Sequence, residues 1–118
     1  MTIQECYEQM QENYSEVNER LGNDAIIKRF VCNFLKDPSF QTLKEGLEEK
    51  DGEKAFRAAH TLKGVCLNLG FTKLNKCSSE LTEKLRGYDV RDTENMFEMV
   101  RKEYNVVTDA IRQMGEDG

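Results

Sequence analysis

EKAFRAAHTLKGVCLNLG, residues 53–70, contains the chain's only histidine, His60, followed by Lys63 and Gly64. At about 100° per residue, Ala55, Ala59, Leu62, Cys66 and Leu69 fall on one stripe, so the spacing predicts a helix with one apolar face against a core. On the same wheel His60 lies roughly 140° from the stripe's centre and points outward. Its neighbours one turn away are Phe56, Arg57, Lys63 and Gly64, with Leu67 about two turns on. A glycine inside a helix costs on the order of 1 kcal/mol against alanine, and core packing asks for no such loss on an outward face. What Gly64 offers is access: something bulky can approach the His60 ring where no side chain stands. Lys63 adds a positive charge one turn away. An exposed imidazole, cleared on one side and beside an ammonium on the other, suits a group that accepts a phosphoryl and then carries a dianion.

The flanking sequence is helical throughout. Ile3, Tyr7, Met10, Tyr14, Val17 and Leu21 recur at spacings of three and four, as one amphipathic helix or two short ones, with Thr2 as a cap. Asp24 is the expected N-cap of a helix to Leu35 that buries Ile27, Phe30, Val31, Phe34 and Leu35. Pro38 stands where a first helical residue belongs, and Phe40, Leu43 and Leu47 follow at helical spacing through Lys50. Asp51 is placed to cap the His60 helix and Gly70 to close it in the left-handed conformation. Phe71, Leu74, Cys77, Ser78, Leu81 and Leu85 form the next stripe. The last helix is expected from Asp92 or Thr93 to Met114, burying Met96, Phe97, Val100, Tyr104, Val107, Ile111 and Met114. No stretch alternates apolar and polar residues as a strand would. The fold expected is all-α, an antiparallel up-and-down four-helix bundle with additional N-terminal helical segments, the fourth helix being the one after Asp24 or the one after Pro38. Residues 1–118 are read as one helical domain: 1–22 a cap, 23–114 the bundle, 115–118 a frayed tail.

Composition narrows the function. A charge of −5 disfavours nucleic acid, whose phosphates reward a net positive face. Yet between residues 53 and 77 Lys54, Arg57, Lys63, Lys73 and Lys76 face Glu53 alone, a basic island suited to an acidic partner. Phe56 and Leu67 beside His60 suggest an apolar contact patch, although a wide buried arc would instead take Phe56 into the core. Cys6, Cys32, Cys66 and Cys77 show no CxxC spacing, and one histidine does not make a mixed zinc box. Reduced thiols, the lack of a signal peptide and the lack of a long apolar run predict a cytoplasmic monomer without a membrane segment. Met1 and the short polar tail suggest a free-standing protein. No P-loop, dinucleotide fingerprint or kinase motif occurs, and the neighbours of His60 supply neither the acid nor the nucleophile of a hydrolytic triad.

The run AAHTLKGVCLNLG closely resembles the signature of histidine-containing phosphotransfer (HPt) domains, with His60, Leu62, Lys63 and Gly64 as its centre and Leu69-Gly70 as its end. The likeness extends over roughly residues 20 to 87. Val65 and Cys66 depart mildly from it, standing where Ser or Ala is commonest. The resemblance implies the same helical bundle and a phosphohistidine carrier in a two-component phosphorelay, not an enzyme. His60 would be the phosphoacceptor, Lys63 the neutralising charge and Gly64 the residue that keeps the site open, with Phe56, Arg57 and Leu67 on the partner-binding face. The implied partners are a response-regulator receiver domain and a sensor or hybrid histidine kinase. No cofactor is expected on this chain; Mg²⁺ is expected in the partner's receiver domain. The alternative is a helical docking module that binds a partner without phosphoryl transfer.

Overall fold

The computed structural model describes residues 1–115. The expected fraying of the tail concerns residues that, Gly115 apart, lie outside that range. Seven helices and no strand are found among the described residues: α1 Ile3–Met10, α2 Tyr14–Leu21, α3 Asp24–Phe34, α4 Ser39–Glu48, α5 Gly52–Leu69, α6 Thr72–Lys84 and α7 Glu94–Met114. Helices α4 to α7 form the antiparallel bundle, while α1, α2 and α3 pack together against α5 and α7 at one end. The fourth bundle helix is therefore the one after Pro38.

Local chemistry sets the boundaries. Thr2 caps α1 in a reciprocal box with Glu5, and Gln11, left-handed at φ 60°, splits the N-terminal stripe into two helices. The cap of α3 is Asn23 and not Asp24: Asn23 Oδ1 accepts from the Ile26 amide at 2.9 Å. Asp24 is drawn away from its own helix, because its carboxylate accepts from the Tyr14 hydroxyl and from Gln4 Nε2. Pro38 precedes the first helical residue of α4. Asp51 caps α5 through the Lys54 amide at 3.1 Å, and Gly70 ends it at φ 74°.

The α5 stripe is buried as its spacing predicts, with Ala58 added to it. Its small residues let α4 come very close. A Cβ on Gly46 would stand 2.7 Å from the Ala55 backbone nitrogen. Rings join the N-terminal helices to the bundle, running from Tyr7 to Phe71 at 5.9 Å, Phe71 to Phe34 at 5.2 Å, Phe34 to Tyr104 at 5.8 Å and Tyr104 to Phe40 at 4.0 Å. Each such pair adds about 0.5–1.5 kcal/mol beyond area burial. Phe30, expected inside, is 41% exposed, because α3 lies at the edge and is covered only along Ile27, Val31 and Phe34. Leu35, Met96, Phe97 and Tyr104 are likewise only half-buried.

Candidate functional site

His60 sits in the third turn of α5 and is exposed. The burial of Ala55, Ala59 and Leu62 on the opposite face fixes that direction, since rotating α5 to hide His60 would expose them. Gly64, one turn on, is exposed too, and a Cβ built there meets nothing within 4 Å. Beyond it Leu67 is 65% exposed. Gly64 and Leu67 line one shallow open groove with Arg20 and Asn68. Arg20 Nη2 donates to the carbonyls of Leu67 at 3.1 Å and Asn68 at 3.0 Å, capping the carboxyl end of α5.

On the side of His60 that faces α6 the surface is more polar. Lys63 is half-buried and, among the described residues, makes no ion pair. Its carbonyl accepts from Asn75 Nδ2 at 2.7 Å, tying α5 to α6 at that level. Phe56 is half-buried, with ring centre 6.1 Å from the imidazole, 5.7 Å from the Tyr88 ring and 5.4 Å from the Arg86 guanidinium. Neither of the two alternatives for Phe56, core or contact patch, describes it fully: one edge packs while part stays at the surface. The Arg86 hydrogen bond holds the Glu83 carboxyl below its ordinary range, with smaller contributions from the charges of Arg86, Lys63 and His60. Lys63 and His60 thus both lie within electrostatic reach of one carboxylate on α6.

The basic island is largely spent inside the protein. Lys54 pairs with Glu49 at 3.1 Å and Glu45 at 3.7 Å, and Arg57 with Glu53 at 2.6 Å. Lys73 Nζ donates to the carbonyls of Met10 and Gln11 at the end of α1. Only Lys63 and Lys76 of the five are without such a bond among the described residues. Sequence reading also passed over Arg20, Glu83, Arg86 and Tyr88. The signal for Glu83 and Arg86 was present, since an antiparallel hairpin closed at Gly70 and Phe71 brings the end of α6 beside the first turns of α5.

The model of the Hpt domain matches residues 37–116. The chain belongs to the Hpt-domain family. No curated protein and no solved structure gives a significant match. The family match begins later than the resemblance read from sequence and takes in α7, leaving α1, α2 and α3 outside it. Hpt domains carry phosphoryl groups on histidine in phosphorelays, meet receiver domains and kinases, and are generally carriers, not enzymes. In this Hpt domain no helix among the described residues is long and apolar enough to cross a membrane. Nor do three or more His, Cys, Asp or Glu side chains converge among the described residues to hold a metal ion. No disulfide joins the cysteines. Burial pushes the thiols of Cys6 and Cys77 up to about 11 and that of Cys66 higher still, which makes them packing groups more than nucleophiles.

Proposed function

We propose that His60 is the phosphoacceptor and donor of a two-component phosphorelay, exchanging its phosphoryl group with the aspartate of a response-regulator receiver domain. The observation that carries this reading is the open space over Gly64 beside an exposed imidazole. That opening is where another protein's acyl phosphate would approach the ring.

In the forward step a lone pair on one imidazole nitrogen attacks phosphorus. The N–P bond forms as the bond from phosphorus to the aspartyl oxygen breaks. The electron pair of that bond returns to the aspartate as a carboxylate, and the proton on the other ring nitrogen is carried through unchanged. Lys63 neutralises part of the dianion, a charge-assisted contact of about 1.5–3 kcal/mol that exposure reduces. The receiver supplies the Mg²⁺ that stabilises charge on the transferring group. Phe56, Arg57 and Leu67 surround His60 and form the docking face. Leu67 gives exposed apolar area, Phe56 a partly packed ring, and Arg57 a guanidinium already shared with Glu53, so its role is orientation more than net charge.

The test is labelling by a phosphorylated receiver domain. Wild type is expected to take an acid-labile, base-stable label, and His60→Gln none. Equal labelling of His60→Gln overturns the assignment, and receiver binding without any transfer to wild type identifies a docking module.

A further inference from the structure

Beside His60, at the end of the neighbouring helix α6, stands a charge pair that the transfer step above does not use: Glu83 in its last turn and Arg86 just past it. Arg86 Nε donates to Glu83 Oε2 at 3.0 Å, and both side chains are well exposed. The guanidinium lies 5.4 Å from the centre of the Phe56 ring, and the His60 imidazole lies 6.1 Å from that same centre. Tyr88 packs on the ring at 5.7 Å, so Phe56 is a fixed plate shared by Arg86 and His60.

Among the described residues Glu83 is the only carboxylate bonded to Arg86, and its field also reaches Lys63 and His60. With His60 bare, Glu83 is the counter-ion of this cluster. A phosphoryl group on His60 puts a dianion beside the same Phe56 ring that Arg86 lies against. A dianion outcompetes a single carboxylate for a guanidinium, whose planar fork matches phosphate oxygens in pairs. An exposed ion pair such as this one is weak and readily exchanged.

From this geometry we infer that Arg86 is a second cation for the phosphoryl group. Glu83 holds it over Phe56 while His60 is bare, and the dianion draws it away once His60 is loaded. Glu83 is then left as a like charge beside the phosphoryl group, favouring its departure to the next aspartate. The inference rests on the reading of His60 as the phosphoacceptor. The covalent chemistry is the exchange already described, in which the N–P bond forms as the aspartyl O–P bond breaks and the reverse, and Arg86 forms no covalent bond in it. The exchange of partners by Arg86 changes only how stable the loaded state is.

The experiment loads His60 with phosphoramidate in the absence of any partner, follows the phosphorus resonance through a pH titration, and then measures the distribution of phosphate after mixing with a receiver domain. Arg86→Gln is expected to raise the titration midpoint and move the distribution toward the receiver by about three- to tenfold. Glu83→Gln is expected to lower the midpoint and move the distribution toward His60 by about threefold. Arg86→Lys, which keeps the charge and loses the fork, falls between wild type and Arg86→Gln. Helix content by circular dichroism checks that each variant is folded. Midpoints and distributions equal to wild type overturn the inference, as does Glu83→Gln moving them in the same direction as Arg86→Gln, the mark of a pair that merely braces α6. A wild type that takes phosphate nowhere on His60 overturns the parent reading as well, whereas normal loading with unmoved variants sinks this inference alone.

Discussion

Three glycines lie inside helices of the α4–α5 hairpin, and substituting each by alanine is expected to give three different outcomes. At Gly64 the added methyl meets nothing within 4 Å, so only helix propensity acts. Gly64→Ala then stabilises by about 1 kcal/mol, a rise in melting temperature of about 4 °C. At Gly46 the methyl lies 2.7 Å from the nitrogen, 3.0 Å from the Cα and 3.1 Å from the Cβ of Ala55. Those are mostly backbone atoms that no rotamer change relieves, so α4 and α5 must separate, a cost of about 1–3 kcal/mol that reverses the propensity gain. At Gly52 the methyl is 1.7 Å from the Tyr88 carbonyl oxygen, closer than any contact allows, and the connection between α6 and α7 has to leave the start of α5. Thermal melts followed by circular dichroism rank the three: Gly64→Ala above wild type, Gly46→Ala below it, Gly52→Ala lowest. Phosphoryl transfer from a receiver domain ranks Gly64 the other way, with Gly64→Ala slower than wild type and Gly64→Gln slower again although folded. A Gly64→Ala melt below wild type refutes the claim of open space. Wild-type transfer by Gly64→Gln refutes the role of that space in access.

Two further predictions concern the core. The Tyr7 hydroxyl, fully buried, donates to the Leu69 carbonyl at 2.6 Å, so Tyr7→Phe is expected to cost about 1–2 kcal/mol in urea unfolding; an unchanged midpoint contradicts that bond's contribution. The thiols of Cys6 and Cys77 rise from the ordinary 9.0 to about 11 because burial penalises the thiolate. The unfolded chain therefore releases these protons first, so stability is full below about pH 9 and falls as pH climbs from 9 toward 11. The burial of the Tyr7 phenol adds to the loss from about pH 10 upward. Urea midpoints across this range test the slope, and the double variant Cys6→Ala with Cys77→Ala reduces it, leaving the share that the buried Cys66 thiol contributes. A slope unaltered in that variant refutes the assignment to the thiols.

Helix positions, the direction of His60 and the left-handed stop at Gly70 were legible because each follows from spacing or from one residue's backbone freedom. The bundle's fourth member was not, since the stripes of α3 and α4 look alike and only the close approach of Gly46 to Ala55 distinguishes them. Asp24 misled for a local reason. A carboxylate and an amide in adjacent positions both suit a cap, and the choice fell to Asn23 because Tyr14 and Gln4, which no short-range pattern connects to Asp24, claim the carboxylate. The basic island misled in the same way, because a tally of charge along the chain does not register that Lys54, Arg57 and Lys73 are spent on nearby acids and on the carbonyls of α1. Around His60, sequence spacing reached only neighbours on its own helix. Glu83, Arg86 and Tyr88 come from across the hairpin.

The contacts of Tyr7, Arg20 and Lys73 bear on where this protein can be cut. Tyr7 and Arg20 hold the last carbonyls of α5, and Lys73 reaches back to the end of α1. Tyr7 and Phe34 also cover Phe71. Each of these contacts has one partner in the chain ahead of Asp37, where the family match begins. A fragment trimmed to the matched segment would retain His60, Lys63 and Gly64 yet bare an aromatic wall and untether the far end of the helix that presents them. The packing that holds the far end of that helix thus extends beyond the segment the family match covers.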